Sequence, residues 1–253
     1  MKILVICAGD RSKHLIALSS IKHLKENSRF DELTVCVLDN NKKIVSYLKK
    51  NKIKFINKNV DKFLSTIKKK NYDWLLNIWG FKIFKKKFLE KFENNLNLHP
   101  AFLPYNRGRD PYYFALMERT PAGICIHRMD ETVDGGKYFL RKRIFYKFPI
   151  QAGKIFDKSL KSIKELFIKN WLKIRSKQIK LKRYSFKIRT VNKRKDLIKQ
   201  NFKDLDLKNE IKIKKFVMNC LAQDFDFLKQ QIKIFGKVYD CKLELNPAKK
   251  KKW

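Results

Sequence analysis

The sequence predicts an α/β fold: a Rossmann-like, mostly parallel sheet with helices on both faces, followed by a small C-terminal helix and β-hairpin. Short apolar runs closed by turn residues alternate with stretches of helical periodicity as far as residue 174, and that alternation implies parallel strands joined by crossover helices. The 253 residues, 44% of them hydrophobic and 13% aromatic, suffice for one good-sized core with an appendage.

Lys2-Ile3-Leu4-Val5-Ile6-Cys7 reads as a buried strand ended by Ala8-Gly9. A helix is expected from about Ser12, with Leu15, Leu18, Ile21 and Leu24 facing inward. Residues 33–38 form a second strand, 42–50 a helix, 53–56 a short strand and 60–70 a helix. Trp74-Leu75-Leu76-Asn77-Ile78-Trp79 is a short apolar run stopped by Gly80, which marks it as a strand. Leu96-Asn97-Leu98-His99 alternates apolar and polar residues until Pro100. Residues two apart on a strand share a face, so Asn97 and His99 project together while Leu96 and Leu98 face the core. Pro100 and Pro104 cannot donate to a ladder and begin a rigid loop. Residues 107–111 lead into a helix carrying Tyr112, Phe114, Ala115 and Leu116, and 123–127 form the next strand. An acidic loop, 130–134, is closed by Gly135-Gly136. Residues 155–174 form a long amphipathic helix, with Phe156, Leu160, Ile163, Leu166, Phe167 and Trp171 at helical spacing. The character then changes to a basic linker at 179–183, a helix at 208–221, a hairpin at 231–235 and 237–245, and a solvated lysine tail.

The formal net charge is +37. Such a balance suggests nucleic acid, membrane surface or anionic ligands. The 61 basic residues are spread along the whole chain, however, which favours solvated lysine faces over a nucleic-acid site. Cys7, Cys36, Cys125, Cys220 and Cys241 are far apart with no C-x-x-C pair, so they imply neither a disulfide framework nor a metal site, and a reducing compartment. No apolar run approaches the length of a membrane span, and residues 1–9 are too short for a signal peptide. A cytoplasmic protein is expected.

The chemistry concentrates in residues 97–134, where Asn97, His99 and Asp134 sit at strand ends or in turns of an apolar frame. A neutral imidazole accepts a proton near neutral pH, and a carboxylate beside it raises its basicity and orients it. An Asn amide donates to a developing oxyanion. Together they suit attack by an amine on a carbonyl carbon; Asn and His before a proline equally suit loop capping. The first strand-to-helix turn, with Arg11, Ser12 and Lys13, is a candidate anion site, although Ser12 serves as well as a plain helix cap. His14 and His23 read as surface residues.

Asn97-Leu98-His99-Pro100, with Leu103-Pro104 and Arg107-Gly108, resembles the signature of the formyltransferases that use 10-formyltetrahydrofolate. Ile126-His127 through Asp130-Glu131 to Asp134-Gly135-Gly136 is similar to their second motif. Gly135 stands where the family usually has threonine, and Lys137-Tyr138-Phe139 where a small or apolar stretch is usual. The resemblance implies that a formyl group passes from folate to an amine, with Asn97, His99 and Asp134 in the catalytic positions. His99 would stabilise the tetrahedral intermediate and shuttle protons, Asn97 would donate to the formyl oxygen, and Asp134 would orient His99. His127 matches the family but reads as a structural hydrogen-bonding residue. Trp79, Gly80 and Phe81 would lie along the pterin with Asp130 and Glu131 opposite, though Trp79 and Phe81 suit a core equally well. Arg107 and Arg109 would meet substrate phosphates, or Arg107 would only pin its loop.

The resemblance divides the chain into a catalytic domain, 1–178, a helix and hairpin appendage, 179–248, and a basic tail, 249–253. Such an appendage resembles that of the sugar N-formyltransferases, where the hairpin often builds a homodimer. The implied acceptor is a nucleotide-linked amino-deoxy sugar for surface polysaccharide. Glycinamide ribonucleotide and aminoacyl-tRNA are the alternatives within the family. A nucleic-acid-binding protein on a degenerate scaffold is the alternative outside it, supported by charge and opposed by the intact trio.

Overall fold

The computed structural model describes residues 1–9, 14–27, 31–186, 191–199, 212–225, 228–234 and 236–246. In chain order the elements are β1 (Lys2–Cys7), α1 (Ile16–Glu26), β2 (Glu32–Val37), α2 (Lys42–Lys50), β3 (Lys54–Ile56), α3 (Val60–Thr66), β4 (Trp74–Ile78), α4 (Lys86–Leu89) and β5 (Asn94–His99). They continue with α5 (Pro111–Met117), β6 (Gly123–His127), β7 (Tyr138–Arg143), α6 (Ala152–Arg175), α7 (Arg194–Lys199), α8 (Ile213–Ala222), β8 (Gln230–Ile234) and β9 (Lys237–Cys241).

The main sheet has the order β3-β2-β1-β4-β5-β6-β7. The pairs from β3 to β5 are parallel, while β6 and β7 join antiparallel. The mostly parallel sheet expected from the alternation is present, and β8 pairs with β9 as the expected hairpin. The central strands are buried on both faces, as parallel strands under helices must be, which is why they read as unbroken apolar runs. One core layer packs Ile3, Val5 and Leu76 against Ile21, Leu24, Phe167 and Trp171; the other packs Leu4, Ile6 and Leu75 against Leu64, Phe84 and Leu89. Trp171 stands edge-on to Trp74 with centroids 5.1 Å apart.

Several boundaries differ from expectation. The first helix starts at Ile16 rather than near Ser12, because Leu15 takes a left-handed conformation (φ 46°) that a helix cannot contain. Leu15 and Leu18 are half-buried, and Ile16, Ala17 and Ser20 complete the inner face with Ile21 and Leu24. The third helix stops at Thr66, where Ile67 turns extended and buries its side chain. His14 is buried rather than on the surface, with Nε2 2.9 Å from Asp157 Oδ1 of α6. Strand β7 was not anticipated, because its sequence Tyr-Phe-Leu-Arg-Lys-Arg lacks clean alternation. The first residues of the expected helix at 208–221 lie outside the described residues, as does the lysine tail.

The chain after α6 returns to the frame. Tyr138 and Lys182 exchange backbone hydrogen bonds of 3.0 and 2.8 Å. Asn192 donates to the Arg107 carbonyl at 2.8 Å and accepts from the Arg109 amide at 2.9 Å. Leu197, Ala222 and Phe225 share a core with Tyr112, Tyr113 and Ile155. Through these contacts the C-terminal segment reaches the cavity described next.

Candidate active site

The site lies at the carboxyl ends of β4 and β5, the edge at which open α/β sheets bind ligands. Here a cavity of about 820 Å³ opens, large enough for a drug-sized molecule. Asn97 and His99 do project from the same side of β5, with Leu96 and Leu98 buried behind them. Asp134 comes from the loop after β6 and has left-handed backbone (φ 49°), a conformation that aspartate tolerates better than most residues. That loop is pinned from two directions. Arg107 donates through Nε and Nη2 to the Val133 carbonyl at 2.8 and 2.6 Å. Gly136 packs so closely on the Arg128 carbonyl that a Cβ would lie 2.0 Å from it.

The three side chains meet. Asp134 Oδ1 lies 3.6 Å from His99 Nδ1, 3.5 Å from His127 Nε2 and 3.4 Å from Asn97 Nδ2. Its other oxygen accepts from the Gly108 amide at 3.0 Å. Burial alone would raise the Asp134 carboxyl, but His99, the contact and charge of His127 and the Gly108 amide together hold it well below the usual carboxylate range. It is therefore an anion. Burial likewise lowers the His99 imidazole below its ordinary value; the Asp134 carboxylate opposes that shift and His127 adds to it. His99 is thus neutral at neutral pH, with the Nδ1 proton facing Asp134. Its Nε2 is buried and makes no formed hydrogen bond, although the Asn106 backbone lies near enough to favour the charged ring. A neutral imidazole with one nitrogen in no formed hydrogen bond is competent to accept a proton.

The remaining sequence candidates fall in two groups. Trp79, Gly80, Phe81, Asp130, Glu131 and Arg109 line the cavity with the trio. Trp79 has φ 63°, which turns its ring toward Phe156 at 6.0 Å, and Phe81 is exposed at the mouth. Arg107 is outside the cavity wall and holds the Asp134 loop, while Arg11 and Ser12 lie outside the described residues. Residues that the sequence reading missed also line the cavity: Asn77, Asp110 and, from the C-terminal segment, Asn192, Lys193, Arg194 and Phe225. Asp110 pairs with Arg194 at 2.9 Å. A lone polar residue inside the apolar run of β4 was the available signal for Asn77; the approach of 192–194 has no local signal. Among the described residues no group of three or more His, Cys, Asp or Glu side chains could hold a metal.

Residues 1–154 match the formyl transferase family. A dTDP-4-amino-4,6-dideoxyglucose formyltransferase of Mycobacterium tuberculosis is 28% identical over 80 residues, which is 32% of this chain and 34% of that protein. A methionyl-tRNA formyltransferase of Borreliella afzelii is 35% identical over 89 residues, 34% of this chain and 28% of that protein. The matched segment thus spans about a third of these curated relatives. Among solved structures, a sugar N-formyltransferase of a Shewanella species superposes with TM-score 0.79 at 17% identity, covering 98% of this chain and 99% of its own. An N-formyltransferase of Helicobacter canadensis, solved with folinic acid and dTDP-3-aminofucose, gives 0.70 at 19% over 90% and 82%. A phosphoribosylglycinamide formyltransferase of Bacillus halodurans gives 0.59 at 17% over 70% and 97%. With the family match covering all seven strands of the main sheet and every residue of the Asn97, His99 and Asp134 constellation, this chain belongs to the formyl transferase family.

Proposed function

We propose that the chain is an N-formyltransferase that moves a formyl group from 10-formyltetrahydrofolate to the amine of a nucleotide-linked amino-deoxy sugar. The observation that carries the acceptor class is the extent of likeness: the sugar N-formyltransferase fold follows 98% of this chain, including the segment after α6, whereas the phosphoribosylglycinamide enzyme follows 70%. The relative that acts on dTDP-4-amino-4,6-dideoxyglucose points the same way.

The cavity suits the donor. Its wall of Trp79, Phe81, Ile83, Phe84, Leu89 and Met129 offers apolar faces to a flat ring, and His99 Nε2 waits unpartnered beside them. When bound, 10-formyltetrahydrofolate supplies the electrophilic formyl carbon. Asn97 Nδ2 already meets His127 Nε2 at 3.0 Å; its longer contact, to Asp134 Oδ1, is the one that can yield to a carbonyl oxygen as negative charge develops there. The acceptor amine must arrive neutral; His99 takes its proton at Nε2 as the N–C bond forms and gives it to the departing folate N10 as the C–N10 bond breaks. Asp134 steadies the imidazolium so formed across the 3.6 Å contact at Nδ1. Arg109 and Lys193 provide positive charge for a nucleotide diphosphate at the cavity edge, while Arg194 is paired with Asp110.

The same reading treats residues 1–178 as the catalytic domain, 179–248 as the appendage and 249–253 as a basic tail. It gives the enzyme a homodimeric form, cytoplasmic location and a place in surface-polysaccharide assembly. Val238 and Tyr239 stand exposed on the hairpin as material for such an interface. No helix among the described residues is long and apolar enough to cross a membrane. The methionyl-tRNA formyltransferase match and the +37 charge favour a second reading, an aminoacyl-tRNA acceptor.

Tetrahydrofolate release is measured with 10-formyltetrahydrofolate and a panel of nucleotide-linked amino sugars, glycinamide ribonucleotide and methionyl-tRNA. Release with one amino sugar is the expected result. Release confined to either of the other acceptors overturns the sugar assignment, and silence with every acceptor overturns the activity.

A further inference from the structure

Asn77 sits on β4 directly beside Asn97 on β5; the two are register partners in the parallel ladder. It is buried, at 4% exposure, in a strand whose other residues are apolar. Its Nδ2 hydrogens are used, while its Oδ1 is buried without a formed hydrogen bond. Asn77 Nδ2 donates to Asn97 Oδ1 at 2.9 Å and to the Gly80 carbonyl at 3.3 Å.

The polarity of this chain of contacts is determined from both ends. A backbone carbonyl only accepts, so the group of Asn77 that faces Gly80 must be its NH2. That NH2 also faces Asn97, which must therefore present its oxygen to β4 and its own NH2 to the cavity. At the far end, His127 Nδ1 lies 3.0 Å from the Arg128 carbonyl, which again only accepts. Nδ1 therefore carries a proton; Nε2 lies 3.0 Å from Asn97 Nδ2 and 3.5 Å from Asp134 Oδ1, and in the neutral ring it is the lone pair that accepts from Asn97. The anchor at Gly80 and a neutral His127 give the same orientation of one amide. The fit at Gly80 is tight as well, because a Cβ there would lie 2.2 Å from Asn77 Oδ1.

We propose that Asn77 is a positioning residue. It locks the Asn97 amide with its donor toward the cavity, and through Gly80 it ties that donor to the loop of Trp79 and Phe81. An Asn side chain free to rotate would present oxygen to a developing oxyanion for part of the time, and that orientation repels. The inference rests on the N-formyl transfer proposed above for its kinetic consequence, but the hydrogen-bond polarity stands apart from it.

The test is Asn77→Asp, with Asn77→Ala as a second variant. An aspartate carboxylate accepts only, so it draws the Asn97 NH2 toward β4 and turns the Asn97 oxygen onto His127 Nε2. Imidazole 15N shifts are expected to show His127 protonated on Nδ1 in the wild type and on Nε2 in Asn77→Asp. In the formyl-transfer assay kcat is expected to fall roughly 100-fold, the scale of one lost oxyanion donor, with KM for both substrates within about threefold. Asn77→Ala leaves the His127 anchor intact and loses less. In an Asn97→Ala background either substitution is expected to cause no further loss, because the group it positions is gone. An unchanged His127 tautomer in Asn77→Asp overturns the proposal, as does a loss that multiplies with that of Asn97→Ala. If the wild type transfers no formyl group, the functional reading falls and the 15N measurement still decides the orientation. If Asn77→Asp does not fold, the wild-type tautomer and the Asn77→Ala cycle decide it.

Discussion

Replacing Asp134 by asparagine removes one charge and almost no volume, so it isolates what the carboxylate does. In the resting enzyme the loss is small, because His99 is neutral there. In the proposed mechanism His99 takes the amine proton, and an imidazolium then faces position 134 across 3.6 Å. At an effective dielectric of about 20, Coulomb attraction at that distance is on the order of 4–5 kcal/mol, and losing it slows the step roughly a thousandfold. The Gly108 amide still needs an acceptor, so the new side chain turns its oxygen there and its NH2 toward His99 Nδ1, donor against donor. The effect therefore falls on kcat rather than KM. Asp134 is also what raises the His99 imidazole against burial, so without it the acid limb of kcat/KM moves to lower pH. The assay is tetrahydrofolate release across pH, with a thermal melt to show that the variant is folded. A kcat within tenfold of the wild type, or an acid limb that moves up, would refute the reasoning.

Three further outcomes follow from the geometry. Gly80→Ala places a methyl 2.2 Å from Asn77 Oδ1 and is expected to cost about 1–3 kcal/mol of stability in urea unfolding while also lowering kcat; an unperturbed variant would mean that the loop moves freely. Trp171→Ala empties the core under β4 and is expected to cost about 3–5 kcal/mol by the same measurement, with the cavity residues untouched. Stability also falls on acidification, for two reasons of the same sign. The folded His99 sits below its ordinary 6.5, so its contribution is present above that pH and erodes as the unfolded chain takes up the proton first. The folded Asp134 sits below its ordinary 3.8, so its contribution persists to that pH and is lost on further acidification. A Tm that is flat as pH falls below 6.5, or a His99→Gln variant as acid-sensitive as the wild type, would contradict the first part.

Much of the site was legible because its parts are local. Asn97 and His99 are two residues apart on one strand, and period-two geometry alone puts them on one face. Gly135 and Gly136 close a loop whose acidic residues, Asp130, Glu131 and Asp134, are close in sequence. The less legible parts depend on register and return. Nothing near Asn77 states that β4 and β5 pair so that it meets Asn97, since a parallel pair has no short turn to fix its register. Nothing near Arg194 states that it will reach Asp110, because that contact depends on how the stretch leading into α7 returns to pair with Arg107 and Arg109 before α5. His14 looked like a surface residue because its partner, Asp157, lies far away in sequence.

By itself, then, the sequence determined the alternation of strands and helices, the one-sided projection of Asn97 and His99, and the family. The tertiary structure alone decided that Asp134 meets both, that His99 is buried enough to stay neutral, that Arg107 clamps the Asp134 loop, and that Asn77 orients Asn97. The reason is physical. Periodicity is a property of neighbouring residues and survives in a string of letters, whereas charge state and hydrogen-bond polarity depend on what burial and distant backbone bring within 3–4 Å.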